Sequence, residues 1–257
     1  MGILNVTPDS FSDGGLFIAP DLALGRAQAM VDEGADIIDV GGESTRPGAA
    51  AVSVQEELDR IIPVIEAISA ALNVPISVDT SKPEVMRAAV SAGAGFINDI
   101  NGLRTDQALE TVAQLGVPVC LMHMQGQPHS MQQAPRYDDV VEEVYMFLAK
   151  RQQAAITAGV DPGHIILDPG FGFGKSLDHN RQLLRGLSRF TALGAPLMVG
   201  LSRKSMIGKV LDAEVDQRLY GGLALLVMAV QNGVSLLRVH DVKASRDVIR
   251  MVEWASA

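Results

Sequence analysis

Short apolar runs alternate with helix-like segments along the whole chain, and this alternation is the feature that most constrains the fold. The apolar runs typical of strands are Met1–Val6, Asp36–Val40, Pro75–Val78, Phe96–Ile97, Val117–Met122, Ile165–Asp168, Leu197–Val199 and Ser235–Val239. The segments with helical spacing that follow them are Pro20–Gly34, Ser53–Leu72, Lys82–Ala92, Thr105–Gly116, Asp138–Gly159, Leu177–Leu193, Asp216–Asn232 and Lys243–Trp254. This order predicts parallel strands, because each helix returns the chain to the same end of the sheet.

A closed eight-stranded barrel is the architecture that this order favours. The chain has 257 residues, and a single barrel of this kind commonly needs about 250. Closure also leaves no exposed sheet edge. A doubly wound open sheet is the alternative, but no G-x-G-x-x-G follows the first strand. Without a linker, repeat or low-complexity tract, the sequence predicts one α/β domain over residues 1–257, a (β/α)8 TIM barrel.

Individual residues predict how some helices begin and bend. Ser53 and Glu56 have the spacing of a capping box, and Pro63 is expected to bend the helix that they begin. Ser81 is expected to cap the next helix, with Pro83 in its first turn.

Composition excludes several classes of function. The formal net charge of -9 argues against a nucleic-acid partner or an anionic membrane surface. Hydrophobic residues make up 47% of the chain, which suffices for a sizeable core. With no charged leader and no apolar run of about 18 residues, a soluble cytoplasmic protein is expected. The single cysteine, Cys120, lies in an apolar run and is expected in the core.

Polar side chains concentrate at or just after the carboxyl ends of the predicted strands. They are Asn5, Asp39, Asp79, Asn98, His123, Asp168, Arg203, Lys204 and His240. In a barrel these ends meet at one mouth, where active sites lie. A single Asp or Asn there is more often a turn former or a helix cap. Because nearly every strand contributes one, a shared site is the better interpretation.

The chemistry of this set indicates two kinds of subsite. Two carboxylates and an amide, at Asp79, Asp168 and Asn98, suit the N–H edge of a heterocycle. A metal site is the alternative, although no H-x-x-x-H or H-x-E spacing supports a dedicated cage. The donors that suit phosphate or carboxylate are Arg46, Arg203, Lys204, Arg238 and His240. A surface ion pair for Arg238 and a capping role for His240 are the structural alternatives.

A glycine-rich loop follows the strand Ile165–Asp168 directly. Its residues Gly174, Lys175 and Ser176 match the end of a phosphate-binding P-loop, but Pro169 stands where that motif requires its first glycine. A carboxylate followed by a mobile Gly/Phe loop fits a pocket for a flat, donor-rich ring better.

Two long polar loops and several shorter segments resemble the dihydropteroate synthase family. The segments are Met1–Gly15, Gly34–Gly48, Ser77–Thr80, Asn98-Asp99, Leu121–Met124, Asp168–Phe173, Ser202–Ser205 and Arg238–Asp241. They occur in the family's order across the whole chain. One departure is that the family usually carries residues before the first strand, and this chain begins within it.

The resemblance implies an enzyme that joins 4-aminobenzoate to a dihydropterin-methyl diphosphate, with Mg²⁺ present, by an SN1-like displacement. It implies a pterin site of Asp79, Asn98, Asp168 and Lys204, in a slot shaped by Ile100, Met122, Phe173 and Gly200. By the same resemblance, Asn5, Arg238 and His240 bind the diphosphate, and Asn5 lies near Mg²⁺. The aminobenzoate subsite, a target for sulfonamides, takes Thr45, Arg46, Pro47, Ser202 and Lys204. Phe11 and Asp13 belong to a loop that closes over the substrates.

Two functional alternatives accompany this resemblance. A pterin-binding methyltransferase barrel would share the Asp/Asn pocket but lack the diphosphate site around Arg238 and His240. A non-catalytic pterin sensor would have lost a loop residue, whereas both loops are intact here. The apolar helix Leu219–Val230 suggests a homodimer, and an ordinary core-facing helix is the alternative.

Overall fold

Eight parallel strands form the centre of the molecule in a computed structural model that describes residues 1–7, 20–44 and 52–256. The strands are β1 (Gly2–Asn5), β2 (Ile38–Gly41), β3 (Ile76–Asp79), β4 (Phe96–Asp99), β5 (Val119–Met122), β6 (Ile165–Asp168), β7 (Met198–Val199) and β8 (Leu236–Leu237). Strands β1 to β6 pair in chain order as one sheet, and β7 pairs with β8.

Backbone contacts join the two sheets at both seams and close the barrel. At one seam the Ile3 N–H donates to Val239 O at 3.0 Å. At the other seam the Leu167 N–H donates to Pro196 O, also at 3.0 Å. The chain therefore forms a TIM barrel, as predicted, and the open-sheet alternative is wrong.

Nine α-helices follow the strands in the described part of the chain. They are α1 (Pro20–Asp32), α2 (Val54–Ala71), α3 (Pro83–Ser91), α4 (Ala108–Leu115), α5 (Val140–Thr157), α6 (Leu177–Arg185), α7 (Ser205–Leu211), α8 (Leu219–Gln231) and α9 (Val242–Ser256). Short 3₁₀ helices cover Pro162–His164, Leu187–Leu193 and Val215–Gln217. None of the described helices is long and apolar enough to span a membrane.

The predicted helices differ from the observed ones mainly near their ends. The single helix predicted over Leu177–Leu193 is an α-helix that ends at Arg185 and a separate 3₁₀ helix. The helix predicted to begin at Asp216 begins at Leu219, after a 3₁₀ turn. Helix α7 was not predicted, because its seven residues are too few to establish a helical period.

Of the two predicted helix caps, the one at Ser53 is confirmed and the one at Ser81 is wrong. Ser53 caps α2 by accepting from the Glu56 N–H at 3.2 Å. The Glu56 side chain instead pairs with Arg60 at 2.5 Å, so only half of the capping box forms. The prediction for Ser81 is wrong: Lys82 occupies the cap position of α3, and the Ser81 hydroxyl donates to the carboxylate of Asp99. The buried Asp99 attracts this hydroxyl away from the helix end.

A layer of apolar side chains fills the barrel interior below the mouth. Phe96, Cys120, Ile166 and Met198 form this cluster, and Leu236 packs against it. Side chains two residues apart on a strand face the same way. The residues two positions further on therefore point into the barrel above this layer: Asn98, Met122, Asp168, Gly200 and Arg238. The core position predicted for Cys120 is confirmed.

Candidate active site

An arginine at the mouth of the barrel bridges two buried carboxylates. Arg238, just after β8, donates from Nε to Asp39 Oδ2 at 2.6 Å and from Nη2 to Asp79 Oδ2 at 2.7 Å. The arginine side chain is 20% exposed, while Asp39 is fully buried. Strands β2, β3 and β8 thus place one cation between two anions at the same end of the barrel. The surface ion pair considered for Arg238 is therefore wrong.

Asp39 anchors this cluster, a role that its strand-end position in the sequence did not indicate. Its Oδ2 also accepts from Asn98 Nδ2 at 3.3 Å. Its Oδ1 is buried and has no hydrogen-bond partner among the described residues. One carboxylate oxygen therefore fixes the orientation of both Arg238 and Asn98. The alternation of inward-facing residues on β2 is the signal that could have indicated this role.

Asp168 reaches the same mouth from the end of β6. Its side chain is only 4% exposed, and its Oδ1 accepts from the Gly170 N–H at 2.7 Å. No hydrogen bond from the described residues reaches Oδ2 of Asp168, which can therefore accept from a ligand. The buried carboxylates Asp79 and Asp168 and the amide of Asn98 therefore lie on strands β3, β4 and β6 of one barrel mouth, as predicted.

An apolar wall stands beside these polar groups. Met122, Phe173, Met124 and Met131 form one buried cluster, and Ile100 packs against it. The family resemblance grouped Ile100, Met122 and Phe173, and the structure packs them in one cluster. Methionine and phenylalanine side chains suit the faces of a flat ring.

Burial raises the pKa of both carboxyl groups. It raises the pKa of Asp79 to about 7, against the opposing effect of the Arg238 charge. Burial likewise raises the pKa of Asp168 to about 6, although the Gly170 N–H and the lysines Lys204 and Lys175 oppose it. Carboxyl groups with a raised pKa in a cleft are typical of functional sites.

Lys204 and His240 supply donors on the β7 and β8 side. Burial lowers the pKa of Lys204 to about 8, although Asp168 attracts its charge, and Nζ lies 4.2 Å from the centre of the Phe173 ring. Burial lowers the pKa of His240 to about 4, so this imidazole is neutral near pH 7. Its Nδ1 lies 3.1 Å from Ser202 Oγ. If Ser202 donates to Nδ1, the Nε2–H of His240 can donate to a ligand.

Asn5 and Gly200 complete the predicted set within the described residues. Asn5 ends β1 opposite Gly41, and a Cβ at Gly41 would lie 3.7 Å from Asn5 Oδ1 and 3.4 Å from the Asp79 Cβ. Asn5 is thus a neighbour of Asp79. Gly200 lies beside Arg238, with 3.9 Å between the Arg238 Cβ and the position of an added Cβ.

Five predicted site residues cannot be placed in this site. Phe11, Asp13, Thr45, Arg46 and Pro47 lie outside the described residues and stay predictions.

Arg203 does not join the site as a phosphate-binding cation. It pairs with Asp241 through Nη2 at 2.5 Å and Nε at 3.1 Å. Its backbone is left-handed, with φ of 58°. The side chain is 41% exposed and holds the turn after β7 against the turn after β8.

The glycine-rich loop after β6 makes hydrogen bonds with neighbouring groups, and its expected mobility stays a prediction. The Gly172 N–H donates to Asn180 Oδ1 at 2.8 Å, and the Tyr137 hydroxyl donates to Gly174 O at 2.8 Å. Lys175 is buried with 3% of its surface exposed and contacts His123. The sequence offered Lys175 only as part of a rejected P-loop, and its contacts with protein groups agree with that rejection.

No metal cage is visible in the described part of the chain. There, no three or more His, Cys, Asp or Glu side chains are grouped to hold an ion. The mouth can instead bind a flat ring through N–H donors to its carboxylates. Its cationic and neutral donors, on the β7, β8 and β1 side, suit an anionic group attached to that ring.

Comparison with known proteins identifies similar chains over nearly the whole length. A family model described as pterin binding enzyme matches residues 1–240. A dihydropteroate synthase of Haemophilus influenzae is 54% identical over 251 residues, which cover 98% of this chain and 91% of that protein.

Solved structures give the same result. A Yersinia pestis dihydropteroate synthase with a sulfonamide drug complex has a TM-score of 0.95 at 51% identity, covering 100% of this chain and 94% of that one. A Xanthomonas albilineans dihydropteroate synthase with 4-aminobenzoic acid has a TM-score of 0.94 at 53% identity, covering 100% and 92%.

Proposed function

The chain belongs to the family of pterin-binding enzymes, and on this premise we propose that it catalyses the dihydropteroate synthase reaction. This transferase reaction joins 4-aminobenzoate to (7,8-dihydropterin-6-yl)methyl diphosphate and gives 7,8-dihydropteroate and pyrophosphate, a step of folate synthesis. The observation that carries the proposal is the barrel mouth. There Asp79, Asn98 and Asp168 lie beside an apolar wall, next to Arg238 and Lys204.

The pterin ring takes the subsite between the polar strand ends and the apolar wall. Ionised Asp79 and Asp168 each accept N–H groups from the ring edge, and the Asn98 amide adds a further contact. Met122, Phe173 and Ile100 line the slot in which the ring lies. Gly200 leaves space beside Arg238 where a larger side chain would narrow the mouth.

The diphosphate takes the side of the mouth formed by β7, β8 and β1. Arg238 uses Nε and Nη2 for Asp39 and Asp79, and its Nη1 has no partner among the described residues. This group can therefore donate to a phosphate oxygen. His240 adds a neutral donor at Nε2, and Asn5 adds its side-chain amide.

The residues present fit a Mg²⁺ ion that is held chiefly by the substrate. Mg²⁺ usually keeps several waters and binds through one or two protein oxygens together with phosphate oxygens. The amide oxygen of Asn5, next to Asp79, is one such hard ligand. When bound there, the ion neutralises negative charge on the diphosphate.

The arrangement of charged side chains at the barrel mouth favours a dissociative, SN1-like displacement. Loss of the diphosphate places positive charge on the pterin methylene and negative charge on the leaving group. Asp79 and Asp168 stabilise the first, and Arg238 stabilises the second. The aminobenzoate nitrogen is neutral at pH 7, so it attacks without a general base once it is held in line.

The aminobenzoate carboxylate binds on the Lys204 side. Lys204 lies against Phe173 and carries a positive charge below about pH 8. Ser202 is close by, in contact with His240. Thr45, Arg46 and Pro47 are proposed to complete this subsite, and Phe11 and Asp13 are proposed to act in closure. Since the Yersinia pestis relative carries a sulfonamide drug, we propose that sulfonamides compete with aminobenzoate here.

A homodimer through α8 and α9 is part of the proposal. Large apolar side chains are exposed on these helices: Tyr220 at 81%, Met228 at 41%, Met251 at 60% and Trp254 at 75%. Large apolar side chains exposed on neighbouring helices suit an association site. A cytoplasmic location stays a prediction from the sequence.

Pyrophosphate release from the pterin diphosphate, measured with Mg²⁺ and with or without 4-aminobenzoate, tests the proposed reaction. Release that depends on the amine, with dihydropteroate as the product, supports it. Binding without turnover indicates the sensor alternative instead. No binding at all contradicts the assignment of the mouth as a pterin site.

A further inference from the structure

Lys175 is the one strongly buried lysine of the described chain that the proposed reaction does not use. Its Nζ lies 2.8 Å from His123 Nδ1, 2.9 Å from Gly170 O and 3.0 Å from Phe173 O. An ammonium group has three N–H donors. The three short contacts therefore satisfy the group completely when it is charged and the His123 Nδ1 accepts.

The protonation of His123 agrees with this arrangement. Burial, assisted by the nearby Lys175 charge, lowers the pKa of His123 to about 2, so its imidazole is neutral and can accept at Nδ1. Burial also lowers the pKa of Lys175 well below its usual value, while attraction to Asp168 opposes that effect. Within the described ranges, the lysine makes no hydrogen bond to a carboxylate. Asp168 is the counter-charge, and it acts through space.

A buried charge of this kind needs an explanation other than stability. Well-packed apolar residues in place of a buried ionic group are often neutral or stabilising. Lys175 instead places a desolvated amino group, attracted by the charge of Asp168, behind the glycine-rich loop. The groups that it contacts belong to two segments, His123 directly after β5 and the loop after β6.

These two segments position the pterin-site residues. Gly170 donates its N–H to Asp168 Oδ1 at 2.7 Å, and the Phe173 N–H donates to Gly170 O at 3.1 Å. The carbonyl oxygens of Gly170 and Phe173, at both ends of this turn, accept from Lys175. The turn that orients the Asp168 carboxylate and places the Phe173 ring is therefore tied to β5 through one ammonium group.

The backbone of this loop packs closely against the segment that follows β5. A Cβ at Gly170 would lie 1.9 Å from His123 O, and a Cβ at Gly174 would lie 2.3 Å from Gln125 O. Both glycines have a positive φ, 70° and 60°. Backbone contact sets the distance between the two segments, and the Lys175 hydrogen bonds set their register.

We propose that Lys175 is a positioning residue of the pterin site, holding Asp168 and Phe173 in place through the Gly170 and Phe173 carbonyls and favouring ionised Asp168 by its charge. The inference rests on the proposed function, because it concerns how the same site holds the pterin. It assigns to Lys175 no contact with the substrate.

Lys175→Met is the variant that tests this role, since it keeps an unbranched stem and removes the donors. The dissociation constant of (7,8-dihydropterin-6-yl)methyl diphosphate is measured by calorimetry without aminobenzoate, well below the unfolding temperature of each variant. We expect it to rise by about tenfold to a hundredfold, the range for losing hydrogen bonds to a charged group. The KM for aminobenzoate is expected to change less than this constant.

A second readout separates positioning from a purely structural role. The charged groups that act on Asp168 are Lys175, Lys204 and Arg238. Removing one of these positive charges raises the pKa of Asp168. The midpoint of the pH dependence of pterin binding is therefore expected to move upward in Lys175→Met. A loss of thermal stability alone would not move it.

A control variant and a second Lys175 variant distinguish a positioning role from other effects of the substitution. Lys150→Met changes an exposed lysine on α5 and is expected to leave pterin binding unchanged. If Lys175→Met does not fold, Lys175→Leu removes the donors and the charge with a similar volume and serves the same comparison. Unchanged affinity and pH midpoint in a folded Lys175 variant overturn the inference alone. Failure of the unmodified protein to bind the pterin diphosphate overturns the proposed function and this inference together.

Discussion

Arg238 and Asp79 are ion-paired across the mouth of the barrel, with 2.7 Å between Nη2 and Oδ2. The same guanidinium holds Asp39 through Nε at 2.6 Å. Because the guanidinium is planar and its donors have fixed directions, the two carboxylates determine where Nη1 points. The proposed diphosphate donor is thus positioned by a residue, Asp39, that contacts no substrate in the proposed site.

Asp39→Asn tests whether Asp39 positions Arg238, because it changes a residue that does not itself contact the diphosphate in the proposed site. The change removes the buried negative charge and weakens the hold on Arg238, so we expect kcat to fall at least tenfold. Loss of one partner of a buried ion pair should also lower the free energy of unfolding by about 3–5 kcal/mol. Steady-state kinetics and urea unfolding measure the two effects.

Asp36→Asn is the matched control for this experiment. Asp36 is 69% exposed and lies 3.4 Å from Arg246. Exposed pairs of this kind contribute about 0–1 kcal/mol, so neither kcat nor stability should change much. Wild-type kinetics in Asp39→Asn would show that Arg238 is oriented by Asp79 alone.

Pterin affinity should depend on pH through Asp79 and Asp168. Their pKa values are raised to about 7 and about 6, and the ring edge donates to the ionised forms. Affinity for the pterin diphosphate should therefore increase from pH 5 to about pH 7, with protons released on binding. Calorimetry in buffers of different ionisation enthalpy measures this release.

The free energy of unfolding of the ligand-free protein should fall as the pH rises, whereas pterin affinity increases. The folded state holds a proton on Asp79 up to about pH 7, whereas the unfolded state loses it near 3.8. This contribution to stability is fully present below the unfolded pKa and is lost as the pH rises through the folded pKa. Comparing Asp79→Asn with the unmodified protein isolates it, and identical pH profiles would contradict the raised pKa.

Lys204 should make aminobenzoate binding weaken at alkaline pH. Burial lowers its pKa to about 8, so its positive charge is lost within the working range of a pH titration. The KM for aminobenzoate should rise above about pH 8 in the unmodified protein. In Lys204→Met the KM should be high at every pH and lack this transition. A transition that persists in Lys204→Met would assign it to another group.

The fold could be predicted from the sequence because its signals are local. Alternating apolar runs and helical spacing are sufficient to count eight strands. The helix α7 is too short to show a helical period in the sequence. Ser81 does not cap α3, because its hydroxyl donates to Asp99 instead. Such contacts join residues that are distant along the chain, so no spacing rule indicates them.

Site residues could be predicted where strand ends and the family resemblance both pointed to them. Asp79, Asn98, Asp168 and Arg238 are brought together as expected. Asp39 and Lys175 acquire their roles only from three-dimensional contacts, one through Arg238 and the other through backbone carbonyls. The alternation of inward-facing residues on β2 could have indicated that Asp39 faces the barrel. The partners themselves leave no pattern in the sequence, since any strand can end in Asp and many loops contain Lys.

Lys82 should contribute more to stability than an ordinary surface lysine. It bridges Glu43 at 2.6 Å and Glu57 at 2.5 Å, and the Glu57 side chain is only 1% exposed. Lys82→Met leaves a buried carboxylate without its partner, and we expect a loss of about 3–5 kcal/mol in urea unfolding.

The exposed pair of Lys243 and Asp247 offers a matched control for Lys82. The two side chains are 65% and 54% exposed, so Lys243→Met should cost about 1 kcal/mol or less. The pKa of Lys82 is raised from 10.5, so its contribution is fully present below that value and is lost at higher pH. Equal losses in the two variants would contradict a special role for Lys82.

The proposed dimer face gives the last prediction. Tyr220 and Trp254 are the most exposed of the large apolar side chains on α8 and α9, at 81% and 75%. Placing like charges on both subunits of a symmetric face disfavours association. Tyr220→Glu combined with Trp254→Glu should therefore convert a dimer to a monomer in sedimentation analysis. Met146→Glu, on α5 and 63% exposed, should leave the dimer intact. If the unmodified protein is a monomer at micromolar concentration, the proposed homodimer is wrong.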